Sequence, residues 1–271
     1  KQLLPLYDKP LIFYPLSILM LAGIKNILII VNKGQLNQFR KILPEKNNLG
    51  IKIEYKEQLR PAGLPQAFTI GEKFIGKDNV CLILGDNFFY GQSLTKILKK
   101  NSVFQSGAKI FLHPVKNPQN YGVAFLNSKN KIIKLMEKPK KTKSNLAVTG
   151  LYFFDNKVID LSKMLKPSKR GELEITTLAE MYLYEDRLDV ELMGRGYAWL
   201  DTGTHKKLLE ASTFIEILER RQGLKVACIE EIAFNKGYIS RNQLLELAKP
   251  LSNNHYGQYL LRCAEETKDK D

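Results

Sequence analysis

The apolar pattern of the chain turns on one run of five residues, Val80 to Leu84, bounded by Asp78-Asn79 before it and Gly85-Asp86-Asn87 after it. A short, unbroken apolar run predicts a central strand buried on both faces, and with it a parallel sheet. Ahead of it, helix-period and strand-period segments alternate. Leu16 to Ala22 reads as a short helix closed by Gly23, Asn26 to Val31 as a second buried strand, Gln35 to Leu43 as an amphipathic helix, and Ile51 to Tyr55 as a half-exposed strand. That is βαβ alternation. Arg60 to Pro65 is a loop by its Pro and Gly, and Gln66 to Ile75 predicts one helix leading into the central strand.

Beyond Gly91, Ser93 is placed to cap a helix running to about Phe104, and Ala108 to Leu112 predicts another strand. Val123 to Leu126 and Ile132 to Met136 read as a hairpin around Asn127-Ser-Lys-Asn130, and Leu146 to Phe154 as a strand interrupted by Gly150. Helices are expected from about Asn156 to Leu165 and Leu173 to Asp186, then strands over Leu188 to Met193 and Tyr197 to Leu200. Asp201-Thr-Gly-Thr204 turns into a long helix with Thr204 as its cap. The pattern from Glu230 onward is helical, and the tail from Glu265 to Asp271 is mixed in charge, so a solvated end is expected. The expected organisation is α/β: a mixed, mostly parallel sheet flanked by helices over residues 1–229, with a C-terminal helical appendage over 230–271.

Composition narrows the class. The 271 residues carry 44% hydrophobic and 26% charged positions, ordinary values for a globular protein able to bury a core without staples. No apolar run nears the roughly 20 residues that span a bilayer, and none resembles a signal peptide, so a soluble, cytoplasmic protein is expected. Cys81, Cys228 and Cys263 have spacings that suit neither zinc nor a disulfide framework and read as reduced core thiols. A net charge of +14 is compatible with nucleic acid, anionic membrane or a phosphorylated small molecule. The densest basic run, Lys138 to Lys143, is short and has no recognition helix or RNA-binding aromatic motif beside it, which favours the last.

Two carboxylates stand out. Asp86 and Asp201 each close an apolar strand and open a Gly-containing turn, the position where open α/β sheets bind ligands. Such a pair can share one Mg²⁺, a hard cation satisfied by one or two carboxylates plus substrate phosphates, or can be two unrelated turn residues. The three histidines, His113, His205 and His255, are isolated and read as structural, and Trp199 reads as packing beside Asp201.

Six segments, taken in order, resemble one family. They are Lys1 to Pro10, Gly85-Asp86-Asn87, Glu137-Lys138-Pro139, Val148 to Tyr152, Arg170 to Thr176 and Gly194 to Thr204, and together they resemble the glucose-1-phosphate thymidylyltransferases among the sugar-nucleotidyltransferases. The resemblance spans essentially the whole chain. It implies a Rossmann-like fold with an inserted sugar-binding part at about residues 108–175, and transfer of a thymidylyl group from dTTP to glucose 1-phosphate with Mg²⁺. It further implies a place in dTDP-rhamnose and polysaccharide synthesis, and a homotetramer. By the same resemblance, Asp86 and Asp201 hold the metal, and Lys1 and Gln2 meet the triphosphate. Gln58 and Gly63 read the base, with Asp86 also at the nucleotide. Asn87, Tyr121, Gly122, Glu137, Val148 and Tyr152 meet the sugar, and Lys138 and Arg170 its phosphate.

Residue chemistry agrees with that assignment. A phosphate oxygen is an ionised nucleophile at neutral pH, so the reaction needs positioning and cationic charge rather than a built general base. Relatives carry a Gly-Gly-x-Gly-Thr-Arg-Leu loop ahead of the Lys1 position that this sequence does not contain, and low activity is expected of the chain as it stands. Arg60 and Ala62 replace the Ser and Asp of many relatives in the base-binding loop. The alternatives are therefore uridylyl or cytidylyl transfer to the same sugar, or a non-catalytic sugar-nucleotide-binding subunit.

Overall fold

The computed structural model describes residues 1–266, so the expectation of a solvated tail over 267–271 lies outside the described residues. A short hairpin, β1 (Pro5–Leu6) and β2 (Lys9–Pro10), leads into α1 (Phe13–Leu21). β3 (Asn26–Asn32), α2 (Leu36–Ile42) and β4 (Lys52–Gln58) form the expected βαβ unit, its strands parallel from Asn26 opposite Lys52 to Asn32 opposite Gln58. The single helix expected over Gln66 to Ile75 is two, α3 (Gln66–Ile70) and α4 (Glu72–Ile75). Gly71 separates them, donating its N–H back to Ala67 at 2.9 Å. Glycine weakens a helix interior by about 1 kcal/mol, enough to end a marginal one.

Next come β5 (Val80–Ile83), β6 (Asn87–Gly91), α5 (Leu94–Ser102), β7 (Ala108–Pro114), β8 (Gly122–Leu126), β9 (Ile132–Glu137) and β10 (Leu146–Phe154). The order continues with α6 (Val158–Met164), α7 (Ile175–Tyr184), β11 (Leu188–Leu192), β12 (Tyr197–Asp201) and α8 (His205–Gln222). Three helices follow: α9 (Ile229–Asn235), α10 (Arg241–Ala248) and α11 (His255–Glu265). Ser93 does precede α5, but at φ +63° with no side-chain bond to the helix, so it turns the chain rather than capping it.

The largest sheet runs β11-β7-β10-β8-β9, with β5 also on β10. The fold is α/β and the sheet mixed, as expected; the balance of directions is not. Among the described residues only β3 with β4 and β7 with β11 pair in parallel, while β5 runs antiparallel to β10. A continuous apolar run reports two covered faces, not the direction of the neighbour. Nor is β5 fully buried: its residues are half-exposed. Among the described residues β3 pairs only with β4 and β5 only with β10, so each keeps an open edge along one apolar cleft.

The sheet is covered on both sides. Phe68, Ile110, Tyr152, Phe154 and Leu178 pack with α6 and α7 on one face, while Phe89, Leu98, Phe111, Leu151 and Phe153 pack with α1 and α5 on the other. A third cluster joins Met20, Ile29 and Ile53 to Ile229, Leu244 and Leu260, so α9 to α11 share a core with the βαβ unit. The hairpin is pinned to α8 by buried charge: Glu219 accepts from Lys9 at 3.2 Å and from Lys225 at 2.9 Å, and both lysines also meet Asp8. Two cations facing two carboxylates leave no uncompensated buried charge, the condition under which such groups are tolerated. This anchors the segment that carries Lys1 and Gln2.

Candidate active site

β10 is where the site begins. One of its edges pairs first with β8, at Ala147 opposite Val123, and then with β5, from Leu151 opposite Ile83. Between these two ladders lies Gly150. Its carbonyl accepts from Leu84 N at 2.9 Å and its N–H donates to Asn87 Oδ1 at 3.1 Å, so the chain leaving β5 is drawn into the gap. A Cβ at Gly150 would stand 2.5 Å from Asn87 Oδ1 and 2.8 Å from Leu84 Cγ. Gly150→Ala is therefore expected to destabilise the protein by about 1 to 3 kcal/mol, the usual cost of overpacking. Urea unfolding measures that loss, and turnover should fall with it, because Asn87 holds the neighbouring Asp86.

β12 lies antiparallel to β6, with Asp201 opposite Asn87, and Thr202 donates both its N–H and its hydroxyl to Asp86 O, at 3.0 and 2.8 Å. Two residues 115 positions apart in sequence thus stand side by side at the end of one ladder. Each carboxylate is held in the same way. Asp86 Oδ1 accepts from Asn87 Nδ2 at 3.1 Å and Oδ2 from Lys1 Nζ at 2.8 Å. Asp201 Oδ1 accepts from Gly203 N at 2.7 Å and Oδ2 from Lys207 Nζ at 2.8 Å. Among the described residues no group of three or more His, Cys, Asp or Glu is placed to hold a metal. The two adjacent aspartates nonetheless suit a hard cation that completes its shell with phosphate oxygens and water.

The β8–β9 pairing sets Gly122 opposite Glu137, and Lys138 N donates to Tyr121 O at 3.1 Å, which joins the expected sugar and phosphate residues. A Cβ at Gly122 would meet Thr176 Oγ1 at 2.9 Å, Glu137 Oε2 at 3.4 Å and Val148 Cβ at 3.7 Å, so all four converge. Thr176 also donates to Glu137. Arg170 reaches Glu137 at 3.3 Å while touching Glu172 and Glu174. Lys138 is exposed and held at φ +39°, and among the described residues no carboxylate pairs with it. A non-glycine residue in that region costs roughly 1 to 2 kcal/mol, and such strain gathers at functional positions.

Two more of the expected sugar contacts are buried. Asn87 is 2% exposed, and its amide is committed to Asp86, Gly150 and Trp199 Nε1, the last at 2.6 Å. It positions the site from behind. Tyr152 is 4% exposed, stacks on Phe154 at 6.1 Å, and has its hydroxyl pKa pushed up by burial and then by the Glu137 charge. It forms part of the core floor. Trp199, read from sequence as packing beside Asp201, has its ring 5.0 Å from Tyr121 and so lies against the candidate sugar subsite.

The other wing is the apolar cleft along β3 and β5, about 470 Å³, lined by Gln2, Gln58, Gly63, Leu64, Leu84 and Gly85 among others. Gln58 Nε2 donates to Gln66 Oε1 at 2.6 Å, and Ala62 N donates to the same oxygen at 3.1 Å. Gln66 therefore orients the Gln58 amide. Gly63, at φ +117°, bridges Leu173, and a Cβ there would lie 2.2 Å from Leu173 O. Only glycine fits that approach, which straps the Gln58 loop to the segment carrying Arg170.

Sequence reasoning passed over Lys207, Gln66 and Thr176. Lys207 sits in the first turn of a helix and reads locally as a solvated charge, Gln66 reads as a helix start, and Thr176 lies inside the helix expected from Leu173. Only their partners mark them: Tyr121 and Asp201 for Lys207, Gln58 and Ala62 for Gln66, and Glu137 for Thr176.

A nucleotide-sized cleft, a carboxylate pair and a polar subsite meeting at one strand end define a nucleotide-handling α/β enzyme. The chain belongs to the nucleotidyl transferase family, whose pattern it matches over residues 1–217. It is 52% identical over 262 residues to a glucose-1-phosphate thymidylyltransferase of Neisseria meningitidis serogroup A, covering 97% of this chain and 91% of that protein. It is 49% identical over 265 residues to the enzyme of that name from Mycobacterium tuberculosis, covering 98% and 92%. Its fold is similar to that of a Bacillus anthracis protein assigned to the same activity and solved with sucrose: TM-score 0.72, 36% identity, 79% of this chain and 85% of that one. A UDP-glucose pyrophosphorylase with UDP-glucose shares the fold at TM-score 0.66 and 24% identity, covering 80% of this chain and 90% of that one.

Proposed function

We propose that the chain transfers a thymidylyl group from dTTP to glucose 1-phosphate, giving dTDP-glucose and pyrophosphate. The observation that supports this best is the position of Asp86 and Asp201 at the junction of two unlike subsites. One is the apolar cleft with the Gln58 amide. The other is the polar pocket of Tyr121, Gly122, Glu137 and Val148. A phosphate oxygen of glucose 1-phosphate attacks the α-phosphorus of dTTP, the bond to the bridging oxygen breaks, and pyrophosphate leaves with its charge. Asp86 and Asp201 are the residues that would hold Mg²⁺, which when bound neutralises charge on the triphosphate.

The remaining work falls to cations. Lys1, beside Asp86, faces the triphosphate, while Lys138 and Arg170 face the sugar phosphate; each currently balances carboxylate charge or stands free of it among the described residues. Fixed positive charge that needs no rearrangement as the reaction proceeds is the largest contribution a protein makes to such transfers. Among the described residues no helix is long and apolar enough to cross a membrane. A cytoplasmic homotetramer serving dTDP-rhamnose and polysaccharide synthesis completes the reading. The test is pyrophosphate release and chromatographic detection of dTDP-glucose, with dTTP, UTP and CTP compared at equal glucose 1-phosphate. The highest kcat/KM is expected for dTTP. A preference for UTP or CTP would select uridylyl or cytidylyl transfer, and binding of sugar nucleotide without turnover would select the non-catalytic subunit.

A further inference from the structure

Lys207 is unlike its neighbours. Lys206, one residue earlier on α8, has its side chain 86% exposed, whereas that of Lys207 is 33% exposed and folds back across the site. Its ammonium donates to Asp201 Oδ2 at 2.8 Å and to the Tyr121 hydroxyl at 3.0 Å, and stands 5.3 Å from the centre of the Tyr121 ring. The location is unfavourable for a cation in itself. Lys207 N is bonded to the helix cap Thr204 at 3.3 Å, so the residue lies in the first turn of α8, where the helix dipole repels positive charge. Burial also works against its charge, and the hydrogen bonds to Asp201 and Tyr121 hold it in place.

The other oxygen of Asp201 is already taken by Gly203 N at 2.7 Å. Any divalent ion that takes both aspartates must therefore meet an ammonium on Asp201 as well as the one that Lys1 places on Asp86. Both ends of the Lys207 contact belong to site residues: Asp201 to the metal pair, Tyr121 to the sugar subsite.

We propose that Lys207 is an exchange cation: its ammonium holds the Asp201 carboxylate until a divalent ion displaces it, and the freed charge then serves the phosphate of the sugar substrate beside Tyr121. This rests on the proposed function and deepens it. No covalent step is involved. The consequence is linkage. Metal must displace an ammonium when it binds alone, whereas with the sugar phosphate present that ammonium has a new anionic partner, so each ligand tightens the other by the same factor. Lys207 is thereby a specificity-determining residue for phosphorylated over unphosphorylated sugar.

The test uses the full chain with Mn²⁺ as the probe, followed by electron paramagnetic resonance and by the fluorescence of Trp199, the single tryptophan. For the wild type, adding glucose 1-phosphate is expected to tighten Mn²⁺ binding by at least about fivefold, the lower end of ordinary coupling, while glucose does not. Lys207→Met, checked for an unchanged circular dichroism spectrum, is expected to bind Mn²⁺ more tightly than wild type when alone. It should lose the coupling, and show a raised KM for glucose 1-phosphate with the KM for dTTP unchanged. Lys207→Arg, which keeps the charge, should restore part of the coupling. Equal Mn²⁺ affinity and equal coupling in wild type and Lys207→Met, with Asp201→Asn still weakening Mn²⁺, would overturn the exchange and leave the metal site standing. Absence of saturable Mn²⁺ binding to the wild type, while dTDP-glucose still forms, would remove the metal pair and the exchange together.

Discussion

Asp86→Asn is expected to leave the fold in place and to remove most of the Mg²⁺-dependent turnover. The substitution keeps the size and shape of the side chain and deletes one charge from the pair that Asp86 makes with Asp201. Charge stabilisation by a bound metal is worth several kcal/mol in the transition state, and each 1.36 kcal/mol is tenfold in rate, so a fall of about 10² to 10⁴ in kcat is expected. Stability should change little, because the Lys1–Asp86 pair has both side chains about one third exposed, at 33% and 27%, and such pairs contribute about 0 to 1 kcal/mol. Asp201→Asn should behave alike, since an amide oxygen can still accept from Gly203 N. The measurement is pyrophosphate release across a Mg²⁺ series, with thermal unfolding alongside. Near-wild-type rates for both variants at limiting Mg²⁺ would dispose of the shared metal.

Gln58→Leu is expected to weaken the use of dTTP while leaving glucose 1-phosphate alone. An amide offers a donor and an acceptor together, which suits the paired N–H and carbonyl of a pyrimidine edge. In this structure the amide is held by Gln66 at 2.6 Å at the mouth of the apolar cleft, so it is aimed before any ligand arrives. Removing one partner of a buried polar contact costs about 1 to 3 kcal/mol, or roughly 5- to 150-fold in kcat/KM for dTTP. Gln66→Leu should reproduce part of this loss by freeing Gln58 to rotate. Kinetics with each substrate varied in turn decide the matter: an unchanged KM and kcat for dTTP would show that Gln58 does not read the base.

Several elements are legible in the sequence alone. β3, β7, β8, β9, β11 and β12 lie where alternation and apolar runs predict them, and Thr204 caps α8 as expected. Asp86 and Asp201 were visible because each ends an apolar run with turn chemistry, a purely local signature. β6 was not visible: Asn87 to Gly91 follows a Gly-Asp-Asn turn signal and becomes a strand only through its ladder with β12. The burial of Asn87 and Tyr152 was not visible either, since which side of a chain meets solvent is settled by what packs on it.

The difference follows the range of the forces involved. Periodicity, capping and turn preference act over a few residues, so the sequence alone determined most of the order of elements, the α/β class, and the two strand-end aspartates. The six ordered motifs added the family, because their joint spacing is written along the chain. Pairing direction, the junction of two ladders at Gly150, the exposure of β5, the Gln66 hold on Gln58 and the reach of Lys207 to both Asp201 and Tyr121 depend on groups from separate elements, 86 residues apart for Lys207 and Tyr121 and 114 for Asn87 and Asp201. Those contacts come into being only when the apolar faces of the sheet and helices are buried together, so only the tertiary structure decided them.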